Sequence, residues 1–191
     1  MQIVCVKTGT KYSDDYVLKL RNGVARHLSQ PHEFVCLTDR PVDGVACRPL
    51  PADLPGWWAK IGLFKLREPL VYFDLDVVIT GSLEPLLEWK EFGILKDYGL
   101  PMNNSSVMVL TGNEGNVWDN FSDDVMSRCK YGDQQWITEQ LPDAETFPEQ
   151  WFPSLKAHRC FSTFPKSALA VVFHGEPKPH ECGGWVKNLW Q

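Results

Sequence analysis

Residues 70–81 read Leu-Val-Tyr-Phe-Asp-Leu-Asp-Val-Val-Ile-Thr-Gly, and the rest of the chain is organised around them. The unbroken apolar run Leu70–Phe73 predicts a short strand buried on both faces of a mostly parallel sheet. Residues two apart in a strand point to the same face. Asp74 and Asp76 therefore leave it on one side, close enough to share one cation, before Gly81 turns the chain away. Carboxylates this close repel unless something positive joins them. The carboxyl end of such a strand is also where open α/β sheets bind their ligands. The alternative is a polar strand end carrying two solvated acids.

Toward the N-terminus, Gln2–Lys7 forms a first buried strand, followed by the polar turn Thr8-Gly9-Thr10-Lys11-Tyr12. Ser13 or Asp14 could cap a helix in which Tyr16, Val17, Leu20, Val24 and Leu28 recur at helical spacing. A second strand covers 33–38 and ends at Asp39-Arg40, and a third lies near 45–50. The right-handed crossover rule puts the 8–12 and 38–40 loops on the same sheet edge as Asp74 and Asp76. Residues 57–67 read as a helix packed under the acidic strand.

Toward the C-terminus, Glu84-Pro85-Leu86-Leu87 is a short crossover, and 92–96 is another strand. Asn103-Asn104-Ser105-Ser106 leads into the apolar strand Val107–Leu110, with helices expected near 113–128 and 133–140. An irregular stretch with Pro148, Pro153 and Pro165 returns to a strand, Ala168–Phe173. That strand runs into His174-Gly175-Glu176-Pro177-Lys178-Pro179-His180.

At 191 residues the chain suits one domain with its own core. The expected division of that domain falls near residue 81, between 1–81 and 82–191, parts that the resemblance described below makes nucleotide-binding and sugar- and acceptor-binding. Eight tryptophans are many for this length, and aromatic side chains line sugar and base pockets as well as cores. The net charge of −5 argues against broad nucleic-acid or acidic-membrane binding. No apolar run reaches the length of a membrane span, and Met1-Gln-Ile-Val leads straight into a strand. The expected location is cytoplasmic. The six cysteines form no Cys-x-x-Cys pair, and Cys5 and Cys36 fall within core strands, which favours buried free thiols over disulfides or zinc.

Two carboxylates plus one imidazole suit a hard divalent cation, Mn²⁺ or Mg²⁺. Such a cation is useful where a diphosphate is held and its departure stabilised. His174 ends an apolar strand and is the natural third ligand; Lys178, in a Pro-stiffened loop, could meet a phosphate as a point charge.

Phe73-Asp74-Leu75-Asp76, the Asn-rich run before the next strand, Asp133-Gln134, and a late Gly-x-x-Lys-Pro occur in that order. As an ordered set they resemble a GT-A glycosyltransferase, similar to the glycogenin-like retaining family (family eight) and its small bacterial and phage relatives. The resemblance implies a Rossmann-like α/β fold with a mixed, mostly parallel sheet flanked by helices. It implies metal-dependent transfer of a sugar from a nucleotide-sugar, a UDP-sugar first among them, to an acceptor hydroxyl with retention. By resemblance, Lys7, Thr8, Tyr12 and Asp39 hold base and ribose, Lys60 contacts the donor, and Asn103 or Asn104 touches the donor sugar. Asp74 serves ribose and metal, Asp76 metal and diphosphate, and Asp133 and Gln134 flank the transferring sugar. Gly175, Lys178 and Pro179 match the late motif.

The match has departures. The family's metal histidine falls on Val172 here; His174 lies two residues later on the same strand face. The family's Trp after Lys-Pro is His180, a second candidate ligand. The segment 151–156 reads either as an acceptor or phosphate wall or as a packed loop. An inverting reaction would instead require a general base, with Asp133 or Asp97 the carboxylates in question. The acceptor (glycan, protein, lipid or modified DNA) and the oligomeric state are open.

Two rival readings come from other classes. One is a haloacid-dehalogenase-like phosphatase, with Asp74 as nucleophile and Asp76 as acid/base. Against it, a β-α-β pattern precedes the motif, and Asp123-Asp124 reads as a solvated helix face rather than that family's late acid pair. The other is a non-catalytic nucleotide-sugar-binding module on the same fold.

Overall fold

A computed structural model describes all 191 residues. In chain order the elements are β1 (Gln2–Lys7), α1 (Asp14–His27), β2 (Glu33–Thr38), β3 (Ala46–Pro49), a 3₁₀ helix (Gly56–Gly62), α2 (Leu63–Leu66), β4 (Leu70–Phe73), β5 (Val78–Ile79) and α3 (Glu84–Glu88). There follow β6 (Gly93–Lys96), β7 (Asn103–Leu110), α4 (Asn116–Asp119), α5 (Asp123–Arg128), α6 (Asp133–Gln140), β8 (Glu145–Thr146), β9 (Ala170–Val171) and α7 (Gly184–Leu189), with short 3₁₀ turns at Glu149–Trp151 and Pro179–Glu181.

The main sheet has seven strands in the order β3-β2-β1-β4-β7-β6-β8. Strands β3, β2, β1 and β4 are parallel, β7 is antiparallel to both β4 and β6, and β8 runs parallel to β6. This is the mixed, mostly parallel α/β sheet expected from the sequence. Strand β4 lies in its middle, and its apolar run supplies two cores at once. Val71 and Phe73 belong to one hydrophobic cluster with α1, while Leu70 and Tyr72 belong to the other with Trp58 and Phe64. The same alternation sends Val107 and Val109 of β7 to the first cluster and Met108 and Leu110 to the second. Fully burying each such side chain contributes about 1.5–3 kcal/mol.

Helix α1 follows from its spacing: Tyr16, Val17, Leu20 and Val24 are buried, and Asp14 and Asp15 occupy the positive first turn. Ser13 is the N-cap residue, yet its side chain makes no capping bond, and Leu28 lies just beyond the helix. Cys5, Cys36 and Cys47 sit in register across β1, β2 and β3, and all six cysteines are free thiols.

Strand β7 begins at Asn103, four residues ahead of the expected Val107, the short strands β5 and β8 are not expected from the sequence, and three further elements differ. The helix over 57–67 is a 3₁₀ helix followed by a four-residue α2, which ends at Arg67 in the left-handed region (φ 52°). The helix over 113–128 splits in two, because Asn120 closes α4 and Ser122 adopts the extended conformation that caps α5. Of the strand over 168–173, only Ala170 and Val171 pair in a ladder, and they do so with β5 in a separate two-stranded ribbon. That ribbon is anchored where Thr80 Oγ1 donates to Ala168 O (2.9 Å), and it delivers residues 173–178 over the end of β4. No helix is long and apolar enough to cross a membrane.

Candidate active site

A cavity of about 530 Å³ opens beyond the carboxyl ends of β1 and β4. Six segments converge on it. The loop after β1 brings Thr8, Lys11 and Tyr12; the 3₁₀ helix brings Trp57 and Lys60; the end of β4 brings Asp74 and Asp76. The start of β7 adds Asn104, Ser105 and Ser106, the start of α6 adds Asp133 and Gln134, and the segment after β9 adds His174 and Lys178.

Asp74 and Asp76 do not share one ammonium group; each has its own. Lys60, only 7% exposed, lies with Nζ 3.1 Å from Asp74 Oδ1 and 3.2 Å from Asp133 Oδ2, and donates to Ser105 Oγ at 2.9 Å. Ser105 in turn donates to Asp133 Oδ2 (2.5 Å), and the Tyr72 hydroxyl donates to Asp74 Oδ1 (2.7 Å). Burial pulls the Lys60 pKa down, but the Asp133 and Asp74 carboxylates outweigh it and hold the ammonium charged well above its ordinary range. Burial raises the Asp133 carboxyl, and Lys60 and Ser105 pull it back part of the way.

Asp76 is the centre of a second cluster. Its Oδ2 accepts from Lys178 Nζ at 2.6 Å and from the Tyr12 hydroxyl at 2.9 Å. Burial and the neighbouring Asp74 push its carboxyl up, against the pull of Lys178 and Tyr12. Burial, then the Asp76 charge, keeps the Tyr12 phenol protonated far above its usual range.

The donor set decides whether a divalent cation fits. Asp74 and Asp133 share the Lys60 ammonium and Asp76 takes that of Lys178, while Lys11 and Lys130 also line the cavity. Both hydrogen bonds to Asp76 fall on Oδ2, which leaves Oδ1 without a hydrogen-bond partner on a residue that lines the cavity. No three His, Cys, Asp or Glu side chains converge into a metal-holding group. These residues fit a hard ion bound through one or two carboxylates and completed by substrate phosphates, the usual Mg²⁺ arrangement, rather than an all-protein cage.

The structure does not bring His174 into that set. Its ring lines the cavity but stacks on Tyr98 (centroids 5.5 Å apart), with Nε2 2.6 Å from Ser154 Oγ. Burial, helped by Lys156, lowers its pKa and favours the neutral ring. His180 is further away, with Nδ1 2.5 Å from the Tyr16 hydroxyl. The 151–156 segment is thus a packed loop, and through Ser154 it orients His174.

Other expected residues are distributed unevenly. Lys7 shares the face of Ile3 and Cys5 and so points toward α1, where it meets Asp14 Oδ1 at 3.1 Å and lines a neighbouring hollow with Thr10 and Arg40. Tyr12 borders both spaces. Asp39 lines neither; it accepts from the Gly9 backbone N–H at 2.9 Å and so pins the loop carrying Thr8 and Tyr12. Of the paired asparagines, Asn104 reaches the cavity, whereas the backbone of Asn103 is tied to Thr138 Oγ1 at 3.0 Å. Asp97 lies outside the cavity, where it accepts from the backbone N–H groups of Gly99 and Leu100 and from Asn104 Nδ2 at 3.3 Å. Asp123 and Asp124 are exposed in the first turn of α5.

Sequence reasoning does not single out Lys11, Trp57, Lys130 or Tyr131, all of which line the cavity. The abundance of tryptophan is the one available signal for Trp57.

No protein-family model matches the sequence, and no curated protein matches it. Solved structures match in fold. The glycosyltransferase GlyE of Streptococcus pneumoniae TIGR4 superposes with a TM-score of 0.76 at 14% identity, over 99% of this chain and 59% of GlyE. The galactosyltransferase LgtC, solved with donor and acceptor sugar analogues, superposes with a TM-score of 0.68 at 15% identity, over 99% of this chain and 94% of LgtC. Mouse xyloside xylosyltransferase 1 does so with a TM-score of 0.59 at 12% identity, over 92% of this chain and 98% of that protein. The fold is that of the GT-A glycosyltransferases. Within the GT-A fold, the Asp74–Asp76 pair ends the central strand β4, and the chain spans little more than half the length of GlyE.

Proposed function

We propose that this chain is a metal-dependent glycosyltransferase that moves a sugar from a UDP-sugar to an acceptor hydroxyl with retention, as in the glycogenin-like family it resembles. One observation carries the reading: Lys60, Asp74, Asp133, Asp76 and Lys178 form a charged, largely buried cluster in one cavity at the end of the central strand of a GT-A fold.

Each residue then has a distinct role. Thr8 and Tyr12 border the nucleotide, with Lys7 in the adjoining hollow and Asp39 holding their loop. Asp74 and Asp76 hold Mn²⁺ or Mg²⁺, which when bound supplies positive charge against the diphosphate. Lys178 lies beside Asp76 and turns from that carboxylate to the departing phosphate oxygens. Lys60 fixes Asp74 and Asp133 relative to one another, so that Asp133, Gln134 and Asn104 present polar groups to the donor sugar. The bond from the anomeric carbon to the diphosphate breaks, the acceptor oxygen bonds on the same face, and its proton passes to the leaving phosphate.

The phosphatase alternative needs Asp74 as a free nucleophile. Both Asp74 oxygens are instead engaged, Oδ1 by Tyr72 and Lys60 and Oδ2 by Lys60 at 3.4 Å, which disfavours attack on phosphorus. The test is incubation with UDP-glucose, UDP-galactose and UDP-N-acetylglucosamine plus Mn²⁺, reading UDP release and the anomeric proton of any product by NMR. Metal-dependent UDP release, lost in Asp76→Ala, supports the reading. A folded protein that binds UDP but never turns over any donor would indicate a binding module.

A further inference from the structure

We infer that the acceptor is a glycan whose terminal pyranose stacks on Trp57 and Tyr131 at the mouth of the cavity; this rests on the glycosyltransferase reading above. Four large apolar side chains are exposed in the whole molecule, Met1, Trp57, Tyr131 and Phe161. Two of them, Trp57 (59% exposed) and Tyr131 (54%), line this one cavity.

Their meeting is built into the backbone. Gly132 adopts φ +72°, and a Cβ there would fall 2.6 Å from Trp57 Nε1. Only a glycine lets the turn that carries Tyr131 close directly onto the indole. Two aromatic surfaces left in water beside a polar site mark a place where a ligand covers them.

The chemistry selects a sugar. An aromatic ring presents a negative face, which attracts the slightly positive C–H groups of a pyranose. Lys130 and Gln134 line the same cavity and between them offer donors and an acceptor to hydroxyl groups. In the reading above the nucleobase lies at Tyr12, which packs on the α1-side core, whereas Trp57 is next in the chain to Trp58 of the opposite core and is left for another ring.

The test is saturation-transfer NMR with methyl β-glucoside, methyl β-galactoside and methyl N-acetyl-β-glucosaminide, on the wild type, Trp57→Ala, Tyr131→Ala and Tyr131→Phe. The expected result is saturation of ring C–H protons of at least one glycoside, with affinity about tenfold weaker or worse in each alanine variant and retained in Tyr131→Phe. Both side chains are more than half exposed, so the variants fold, and circular dichroism verifies it. No saturation with any glycoside, or equal saturation in all four proteins, would overturn the proposal. A UDP titration with Mn²⁺ on the wild type separates the failures. UDP binding without a glycoside signal removes the stacking site alone, whereas absent UDP binding removes the transferase reading and leaves the NMR result to decide the sugar site.

Discussion

Lys178 Nζ lies 2.6 Å from Asp76 Oδ2 and joins residues 102 apart in the chain. The contact closes the late loop over the end of β4, at a carboxylate only 6% exposed. Lys178→Met leaves that charge buried and unpaired and should lower the unfolding free energy by about 3 kcal/mol. Urea denaturation measures it. The Asp76→Asn/Lys178→Met double variant should recover most of the loss, because no charge is then left behind; a double variant as unstable as the single would contradict the pairing.

Lys60 answers to two carboxylates, so its removal is more costly. Lys60→Met should destabilise by about 3–5 kcal/mol, and adding Asp133→Asn should restore part of this. Thermal unfolding of the wild type and the two variants checks the order. Equal melting temperatures for wild type and Lys60→Met would show that the buried network contributes nothing.

Much of this arrangement is legible in the sequence. Apolar runs and alternation place β1, β2, β4 and β7, and the Asp-x-Asp step locates the site. Tyr12, Lys60 and Lys178 then follow by resemblance, and all three line the cavity. What is not legible depends on distant partners. The β5–β9 ribbon is two residue pairs long and exists only because both segments are covered by the same core. A seven-residue 3₁₀ helix differs too little from an α-helix in period to be told apart. Strand parity allows His174 as a ligand, but parity does not show that Ser154 waits beside it. Lys7 is the converse: its parity with Ile3 and Cys5 is visible in the chain and puts it on the α1 side.

Asp39 provides a pH test of the nucleotide loop. Its carboxyl is held below the usual range, chiefly by the Gly9 backbone N–H. A depressed folded pKa stabilises above the unfolded value and loses that effect as pH falls through the folded one. The group is exposed, so Asp39→Ala should cost less than about 1 kcal/mol at pH 7. The gap between variant and wild type should narrow steadily below about pH 4 in denaturant titrations. A gap that stays constant to about pH 2.5 would mean the carboxylate is not what pins the loop.

Gly81 is where the chain turns away from the acid pair. A Cβ there would lie 2.5 Å from the Ala168 backbone oxygen, so Gly81→Ala must push the β5–β9 ribbon outward. The expected loss is about 1–3 kcal/mol. Because that ribbon carries His174 and Lys178, the same variant should also weaken UDP binding, as read by calorimetry.

The most direct test of the central claim is calorimetric titration of UDP into the wild type, with Mn²⁺ and then with EDTA, repeated on Asp76→Ala. Both hydrogen bonds to Asp76 fall on Oδ2 and leave Oδ1 without a partner for a hard cation, so UDP should bind with the metal and lose at least about tenfold in affinity in EDTA or in the variant. Equal UDP affinity in all three conditions, or none in any, would contradict a metal-assisted nucleotide-sugar site at Asp74 and Asp76.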